Sequence, residues 1–206
     1  MGPRHAPLTD LACLPTPLQR LGPTGDRLGI ELWIKRDDLT GFALSGNKVR
    51  KLAFLLADAQ SLGATVVLTT GGIQSNHCRA TVACARQLGL RVTLLLRGAP
   101  PSAQGLDGNL LLDAIFGAEV EWCTPEGYAQ RGYILEEMAE RLRAAGEVPY
   151  VISEGGSNAL GSWGFVHAAE EVRRQADAAG LGAESVVCAV GSGGTLAGLA
   201  MGVRGA

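Results

Sequence analysis

Apolar, β-branched runs alternate with helical patterns along most of this chain, and that alternation limits its possible folds more than any other feature. Residues 64–70 (ATVVLTT) are typical of a buried strand, residues 76–88 of a helix closed by Gly89, and residues 91–96 of the next strand. Strands that alternate with helices at this spacing predict parallel βαβ units in a sheet covered on both faces. Ligands of such sheets bind beyond the carboxyl ends of the strands.

The remaining segments continue the same alternation. The sequence predicts helices over 49–62, 106–116, 128–145 and 159–179, strands over 31–35, 119–123, 150–153 and 185–190, and a last helix from Thr195. The proline-rich residues 1–30 are expected to be irregular. Adjacent Asp37 and Asp38 are expected to be structural, since neighbouring residues of an extended segment point apart.

Composition narrows the class of protein. The 206 residues, 47% of them hydrophobic, suffice for one large domain or two small ones. With 18 basic and 20 acidic residues, we expect no binding to nucleic acid or to an anionic membrane surface. No secretory leader and no run of about 18 apolar residues is present, so a cytoplasmic location is expected. The five scattered cysteines argue against a disulfide framework and a zinc site.

A short polar turn precedes Lys48 and consists of Ser45, Gly46 and Asn47. Lys48 itself lies in the first turn of a predicted helix. A helix N-terminus disfavours the protonated form of an amine, and burial disfavours it further. Lys48 is therefore a candidate nucleophile. The tetrapeptide alone also fits a solvated surface lysine.

A glycine-rich turn follows the last predicted strand and opens the last helix. It contains Gly191, Ser192, Gly193, Gly194 and Thr195. Successive backbone N–H groups and the helix dipole converge at such a turn, which predicts a phosphate site. A turn that uses glycine only for tight packing is the alternative.

Neither standard nucleotide pattern fits. A dinucleotide fingerprint from Gly191 would need glycine where the chain has Leu196. A Walker A loop from Gly41 fails because Asn47 occupies its lysine position, and Lys48, one residue late, is followed by Val49 and not by a hydroxyl residue. The remaining candidate ligand is a small molecule that carries one phosphate. A nucleotide-binding module is kept as the alternative function.

A second loop, again between a strand and a helix, contains Ser75, Asn76 and His77. Asn76 can donate to an oxygen, Ser75 offers a hydroxyl, and the free N–H groups of the turn suit a carboxylate. An ordinary helix cap would account for one of these residues, and a partly buried surface histidine for His77. A third loop, 154–158, is expected to let a helix approach the sheet or the ligand closely.

A candidate Schiff-base lysine, a monophosphate cradle and an asparagine that can bond a phenolic oxygen together describe a pyridoxal phosphate site. The segments LPTPLQRL, IKRDDLTGFALSGNKVRKL, GGIQSNHCRATVACAR, GNLLLDAIFGAEV, EGGSNALGSWGF and GSGGTLAGL resemble the D-cysteine desulfhydrase and 1-aminocyclopropane-1-carboxylate deaminase family. This family lies within the tryptophan synthase β-type (fold type II) pyridoxal phosphate enzymes.

The resemblance implies an α/β fold with two domains, each a three-layer αβα arrangement around an open parallel sheet. Residues 1–50 and 159–206 would belong to the large cofactor domain and residues 51–158 to a small inserted domain. Family members are longer, and their contacts to the pyridine nitrogen lie in a C-terminal portion that this chain lacks. Either a fragment or truncated product, or a chain that has lost the family's completing segment, is therefore expected. Its large-domain sheet would be incomplete and would expose a strand edge and apolar surface.

The resemblance also implies residue roles. Lys48 and Ser75 would be catalytic, with Lys48 carrying the cofactor, and Asn76 would bond the pyridine hydroxyl. The glycine-rich turn from Gly191 to Thr195 would hold the phosphate. Ser75, Asn76 and His77 would meet the substrate carboxylate.

The implied reaction is a β-elimination in which Lys48 removes the Cα proton, most simply D-cysteine giving pyruvate, hydrogen sulfide and ammonia. His77, where the deaminase has glutamine, favours the desulfhydrase. 1-Aminocyclopropane-1-carboxylate deaminase, L-cysteate sulfo-lyase and an inactive fragment that folds or binds cofactor without turnover are the alternatives. A small amino acid substrate and a homodimer are expected.

Overall fold

The computed structural model describes residues 8–41, 43, 46–101, 105–182 and 184–204, and this part of the chain holds six strands and seven α-helices. In chain order they are β1 (Leu18–Arg20), α1 (Gly22–Leu28), β2 (Trp33–Lys35), α2 (Lys48–Ser61), β3 (Val66–Gly72), α3 (Asn76–Gln87), β4 (Arg91–Arg97), α4 (Gly108–Ile115), β5 (Glu119–Cys123), α5 (Arg131–Ala144), β6 (Pro149–Val151), α6 (Ala159–Ala178) and α7 (Gly194–Arg204). Short 3-10 turns lie at 37–39, 127–130 and 154–156.

Four strands form one parallel sheet in the order β5-β4-β3-β6. Val67 of the central strand β3 lies opposite Val92 of β4 and Tyr150 of β6. Helices connect consecutive strands, so the predicted parallel α/β fold is confirmed. This sheet falls within residues 51–158, while the division of the chain into a large and a small domain stays a prediction.

The two faces of the sheet bury different side chains, as the alternation of a strand requires. Val67 and Leu94 pack in one cluster with buried residues of α2 and α3, such as Leu55. Leu68 and Leu95, their neighbours in sequence, pack on the opposite side with residues of α5. The prediction of a sheet covered on both faces is therefore correct.

The N-terminal region is more regular than expected. β1 and β2 form an antiparallel pair in which Leu18 lies opposite Lys35. α1 has Pro23 in its first turn and ends at Gly29 with φ 66°, in the left-handed region. Proline near the start of a helix and glycine just past its end are recognised boundary signals. The sequence therefore contained the signals of this helix, and the prediction of irregular structure was wrong.

The strand predicted over 185–190 does not form, although the glycine-rich turn and α7 follow it as expected. Val187 is 96% exposed and Val186 is 57% exposed. A strand needs a neighbour to satisfy its backbone N–H and C=O groups, and within the described residues none pairs with this segment. The expected apolar surface is present here and continues onto α7 at Leu196 and Met201.

Helix α6 lies between α2 and α7, and glycine makes both contacts close. A Cβ atom on Gly164 would lie 2.2 Å from the backbone oxygen of Arg50 in α2. A Cβ atom on Gly198 of α7 would lie 2.3 Å from the backbone oxygen of Ser162 in α6. Close helix packing therefore fixes the start of α7 relative to α2.

A buried ion cluster ties the N-terminal segment and α6 to α2. The Arg50 guanidinium binds Asp37 at 2.8 Å and Glu171 at 3.0 Å, and Lys35 also pairs with Glu171. Burial alone would raise the pKa of Glu171, but hydrogen bonds from Arg50 and Lys35 outweigh it and lower the pKa below 4.5. Asp37 thus has the structural role expected for it, while Asp38 pairs with Arg36 at the surface.

We predict that Gly164→Ala lowers the free energy of unfolding by about 1–3 kcal/mol, because the added methyl group meets backbone that cannot move aside cheaply. Gly132→Ala in α5 is the matched control, since nothing lies within 4 Å of its Cβ position. Better helix propensity should stabilise this variant by up to about 1 kcal/mol. Chemical denaturation measures both; equal effects of the two variants would contradict the packing described.

We predict that Glu171→Gln lowers the free energy of unfolding at pH 7 by about 3 kcal/mol. This loss lies at the low end of the range for a broken buried ion pair, because Glu171 keeps some solvent access. The folded-state pKa is lowered, so the stabilisation is present at neutral pH and is lost as the pH falls through that value. The difference between the wild type and the variant should therefore shrink below about pH 4. Glu170→Gln, at the neighbouring position, is the control; a difference constant with pH would refute the ion-pair origin.

Candidate functional site

Three segments that carry the predicted site residues meet around the 3-10 turn at Glu154–Gly156. This turn contacts α2, α3 and β3, and the adjacent Ser157 bonds Ser192 of the glycine-rich turn, Oγ to Oγ, at 2.7 Å. Helices α2, α3 and α7 begin at Lys48, Asn76 and Gly194. Each N-terminus adds partial positive charge, so the arrangement favours an anionic ligand.

Lys48 is the first residue of α2 and is half-buried. Burial lowers the pKa of its amine, as the sequence predicted. Its charge also contributes to lowering the pKa values of Lys51 and His77, so these three side chains lie close enough to interact. Ser45, at the start of the predicted turn, lies outside the described residues.

Lys51 is a site residue that the sequence analysis missed. Its side chain is almost fully buried, with 1% exposure, and its Nζ donates to Ser157 Oγ at 2.9 Å and to the Gly155 oxygen at 3.2 Å. Burial, with a smaller effect of the Lys48 charge, lowers its pKa to about 8. The available signal was its spacing of three residues from Lys48, which places both lysines on one face of a helix.

The amine of Lys51 lies directly against the start of α7. A Cβ atom on Gly194 would lie 2.9 Å from Lys51 Nζ and 2.6 Å from Ser157 Oγ, so only glycine fits without displacing them. The first N–H groups of a helix have no partner within the helix. Together with the Lys51 amine and the Ser192 hydroxyl, they form a donor set suited to a phosphate.

The predicted carboxylate loop is built around the start of α3. Ser75 is the N-cap, and its Oγ accepts a hydrogen bond from the Cys78 N–H at 3.2 Å, which is the capping role considered as the alternative. Asn76 is exposed, and its Oδ1 accepts from Asn109 Nδ2 at 2.9 Å. Asn109 was not singled out from the sequence, although it lies in one of the family-like segments.

His77 is buried and neutral. Its side chain is 4% exposed, and burial, together with the charges of Lys48 and Lys51, lowers its pKa to about 3. Thr69 Oγ1 donates to the Ile152 oxygen at 2.8 Å, so at its 2.8 Å contact with His77 it accepts from Nε2–H. Nδ1 is therefore the unprotonated nitrogen, and it has no hydrogen-bond partner among the described residues. The surface histidine considered as an alternative does not describe this residue.

The fold is a parallel α/β fold, and the candidate anion site lies where the buried Lys51 amine meets the start of α7. The family described as "Pyridoxal-phosphate dependent enzyme" matches residues 9–206. The chain belongs to this family, and the predicted cofactor class is confirmed.

Named relatives are similar over most of this chain. A bifunctional D-cysteine desulfhydrase/1-aminocyclopropane-1-carboxylate deaminase of Arabidopsis thaliana is 47% identical over 199 residues, covering 93% of this chain and 50% of the relative. A D-cysteine desulfhydrase of Serratia proteamaculans is 45% identical over 201 residues, covering 96% and 60%. The crystal structure of a 1-aminocyclopropane-1-carboxylate deaminase homologue superposes with a TM-score of 0.85 at 40% identity, covering 98% of this chain and 60% of that one.

These comparisons confirm the predicted family resemblance and fold class. They also show that the chain spans 50% to 60% of the length of the relatives named here. Within the described part of the chain, no helix combines the length and the apolar character needed to cross a bilayer.

The residues present fit the phosphate of the cofactor. Gly194 leaves room where any side chain would collide with Lys51, and the surrounding donors are N–H, hydroxyl and ammonium groups. Such donors match phosphate oxygens. The assignment of individual residues to the cofactor stays a prediction.

We predict that Lys51→Gln weakens the binding of pyridoxal phosphate by about ten- to a hundredfold, because a charge-assisted hydrogen bond to the phosphate is lost. Pyridoxal, which lacks the phosphate, should bind the variant and the wild type almost equally. Equilibrium titration of the visible absorption of the bound ligand measures both affinities. Equal weakening for the two ligands would place Lys51 away from the phosphate.

Proposed function

We propose that this protein uses pyridoxal phosphate to catalyse β-elimination and deamination of a small amino acid, most simply D-cysteine and water giving pyruvate, hydrogen sulfide and ammonia. The observation that carries this proposal is the proximity of Lys48, with its lowered pKa, to Lys51 and the cradle at the start of α7. The names of the relatives support the choice of reaction.

The proposed roles at the cofactor follow from the donors that each element offers. The amine of Lys48 would hold the cofactor, and as a free amine it would take the proton from the substrate Cα. The N–H groups and hydroxyls of the glycine-rich turn, from Gly191 to Thr195, bind the phosphate with Lys51. Asn76 donates to the phenolic oxygen. When bound, pyridoxal phosphate supplies the electron sink that makes the Cα proton acidic.

The start of α3 is the proposed carboxylate site. The Ser75 hydroxyl and the backbone N–H groups of Asn76 and His77 are placed where a helix N-terminus binds an anion. The buried imidazole of His77 faces Thr69, so its contribution would come from its main chain. Holding the carboxylate orients the Cα–H bond, which is the catalytic role we assign to Ser75.

Lys48 is the base that the electrostatics favour. A catalytic base should have a pKa near the working pH, and the pKa of His77, at about 3, makes its imidazole a poor proton acceptor. The pKa of Lys48 is lowered towards that range by burial.

Several finer points remain proposals. 1-Aminocyclopropane-1-carboxylate and L-cysteate are the alternative substrates, and a fragment that binds cofactor without turnover is the alternative of another class. A homodimer and a cytoplasmic location are also proposed. A nucleotide-binding module has no support from the comparisons.

We predict that borohydride reduction of the protein with pyridoxal phosphate labels Lys48. The chain has three lysines, Lys35, Lys48 and Lys51, so peptide mass spectrometry assigns the label directly. Lys48→Ala should abolish both the label and the visible absorption of the lysine-bound cofactor, while Lys51→Gln should keep the label on Lys48 at saturating cofactor. A label on another lysine in the wild type would refute the assignment.

Turnover is tested with D-cysteine, 1-aminocyclopropane-1-carboxylate and L-cysteate at saturating cofactor. Pyruvate and sulfide in equal amounts from D-cysteine are expected, and Lys48→Ala should form neither. Labelling without any turnover would favour the inactive fragment. Product from another substrate alone would identify that alternative.

A further inference from the structure

Asn109 connects two loops at the edge of the candidate site. It lies in the first turn of α4, and its side-chain Nδ2 donates to the Gln74 backbone oxygen and to Asn76 Oδ1, both at 2.9 Å. The two hydrogens of this NH2 group are thereby both used. Asn109 thus contacts the one side chain proposed to meet the phenolic oxygen of the cofactor.

The hydrogen bonds fix which way each amide points. The nitrogen and oxygen of an isolated asparagine amide are hard to tell apart, so hydrogen-bond partners must decide. A backbone carbonyl such as that of Gln74 can only accept, so Asn109 must present its NH2 group there. The same NH2 group meets Asn76, which must therefore turn its oxygen toward Asn109. The NH2 group of Asn76 therefore points away from Asn109.

The position of Asn109 does not depend on Asn76. Its backbone N–H donates to Gln74 Oε1 at 2.7 Å, and Gln74 Nε2 donates to Asp107 Oδ1 at 3.0 Å. A Cβ atom on Gly108 would lie 2.3 Å from Gln74 Oε1, so the two loops are in close contact. Removing the Asn109 side chain leaves these bonds in place.

We propose that Asn109 is a positioning residue, which holds the Asn76 amide with its NH2 group directed to the phenolic oxygen of pyridoxal phosphate. This rests on the proposed function. An exposed asparagine that is free to rotate would also present its carbonyl oxygen, which repels a phenolate. Asn109 removes that orientation before the cofactor arrives, which is the benefit of preorganisation.

The affinity test uses the cofactor and an analogue without the phenolic oxygen, 3-deoxypyridoxal phosphate. Asn109→Ala should weaken pyridoxal phosphate about three- to tenfold, the range of one neutral hydrogen bond, and should leave the analogue almost unchanged. Asn109→Asp, whose carboxylate attracts the Asn76 NH2 group, should weaken the cofactor more than Asn109→Ala does. Equal affinities of the wild type and Asn109→Ala for the cofactor would overturn the proposal.

A double-mutant cycle separates positioning from a general structural role. If Asn109 acts through Asn76, then Asn109→Ala should have no further effect on cofactor affinity in an Asn76→Ala background. A full effect in that background would overturn the proposal, even if cofactor binding itself is sound.

The amide polarity is also testable without cofactor, which separates this inference from the proposed function. In 15N spectra of the cofactor-free protein, the Asn109 NH2 protons should exchange with water more slowly than those of Asn76. Asn109→Ala should leave Asn76 NH2 exchange fast. Slower exchange at Asn76 than at Asn109 would show the opposite polarity and overturn the proposal. If the exchange is slower at Asn109 than at Asn76 but the wild type does not bind cofactor, the proposed function is refuted and the amide polarity stands.

Discussion

The candidate site depends on a buried ammonium group that belongs to no ion pair in the contacts described. Lys51 is held by one hydroxyl and one backbone oxygen, and both acceptors are neutral. Removing an ammonium from water is costly unless an anion compensates it. Burial lowers the pKa of Lys51, with a smaller effect of the Lys48 charge, as this cost requires. A bound phosphate at the start of α7 would supply the missing negative charge, so the local electrostatics favour a filled site.

Close helix packing creates that geometry. Without a side chain at Gly164 and Gly198, α6 contacts the backbones of α2 and α7 directly, which brings the start of α7 to Lys51. Larger side chains at these contacts would separate the helices, since interaxial distance follows side-chain size. The close approach of a helix that the sequence predicts after the third loop is thus present at Gly164, where α6 meets the backbone of α2.

The sequence predicted the local elements and the parallel α/β class well, but not the individual tertiary contacts. The strands β3 to β5 and the helices α2, α3 and α6 follow from apolar periodicity and glycine stops, which act within a few residues. The run 185–190 has the same pattern, yet it forms no strand, because pairing depends on a neighbour that periodicity does not report. The contacts of Lys51 with Ser157 and of Asn109 with Gln74 join residues that are distant in sequence, so the sequence did not report them. Only the spacing of Lys51 from Lys48 was visible there.

Lys48 and Lys51 lie one helical turn apart, so the charge of one amine affects the protonation of the other. Burial lowers the pKa of both amines, and the charge of Lys48 lowers the pKa of Lys51 further. A phosphate bound by Lys51 would cancel most of its charge, and the amine of Lys48 would then become more basic. If Lys48 is the proposed base, a filled phosphate site would therefore make it a stronger acceptor for the substrate proton.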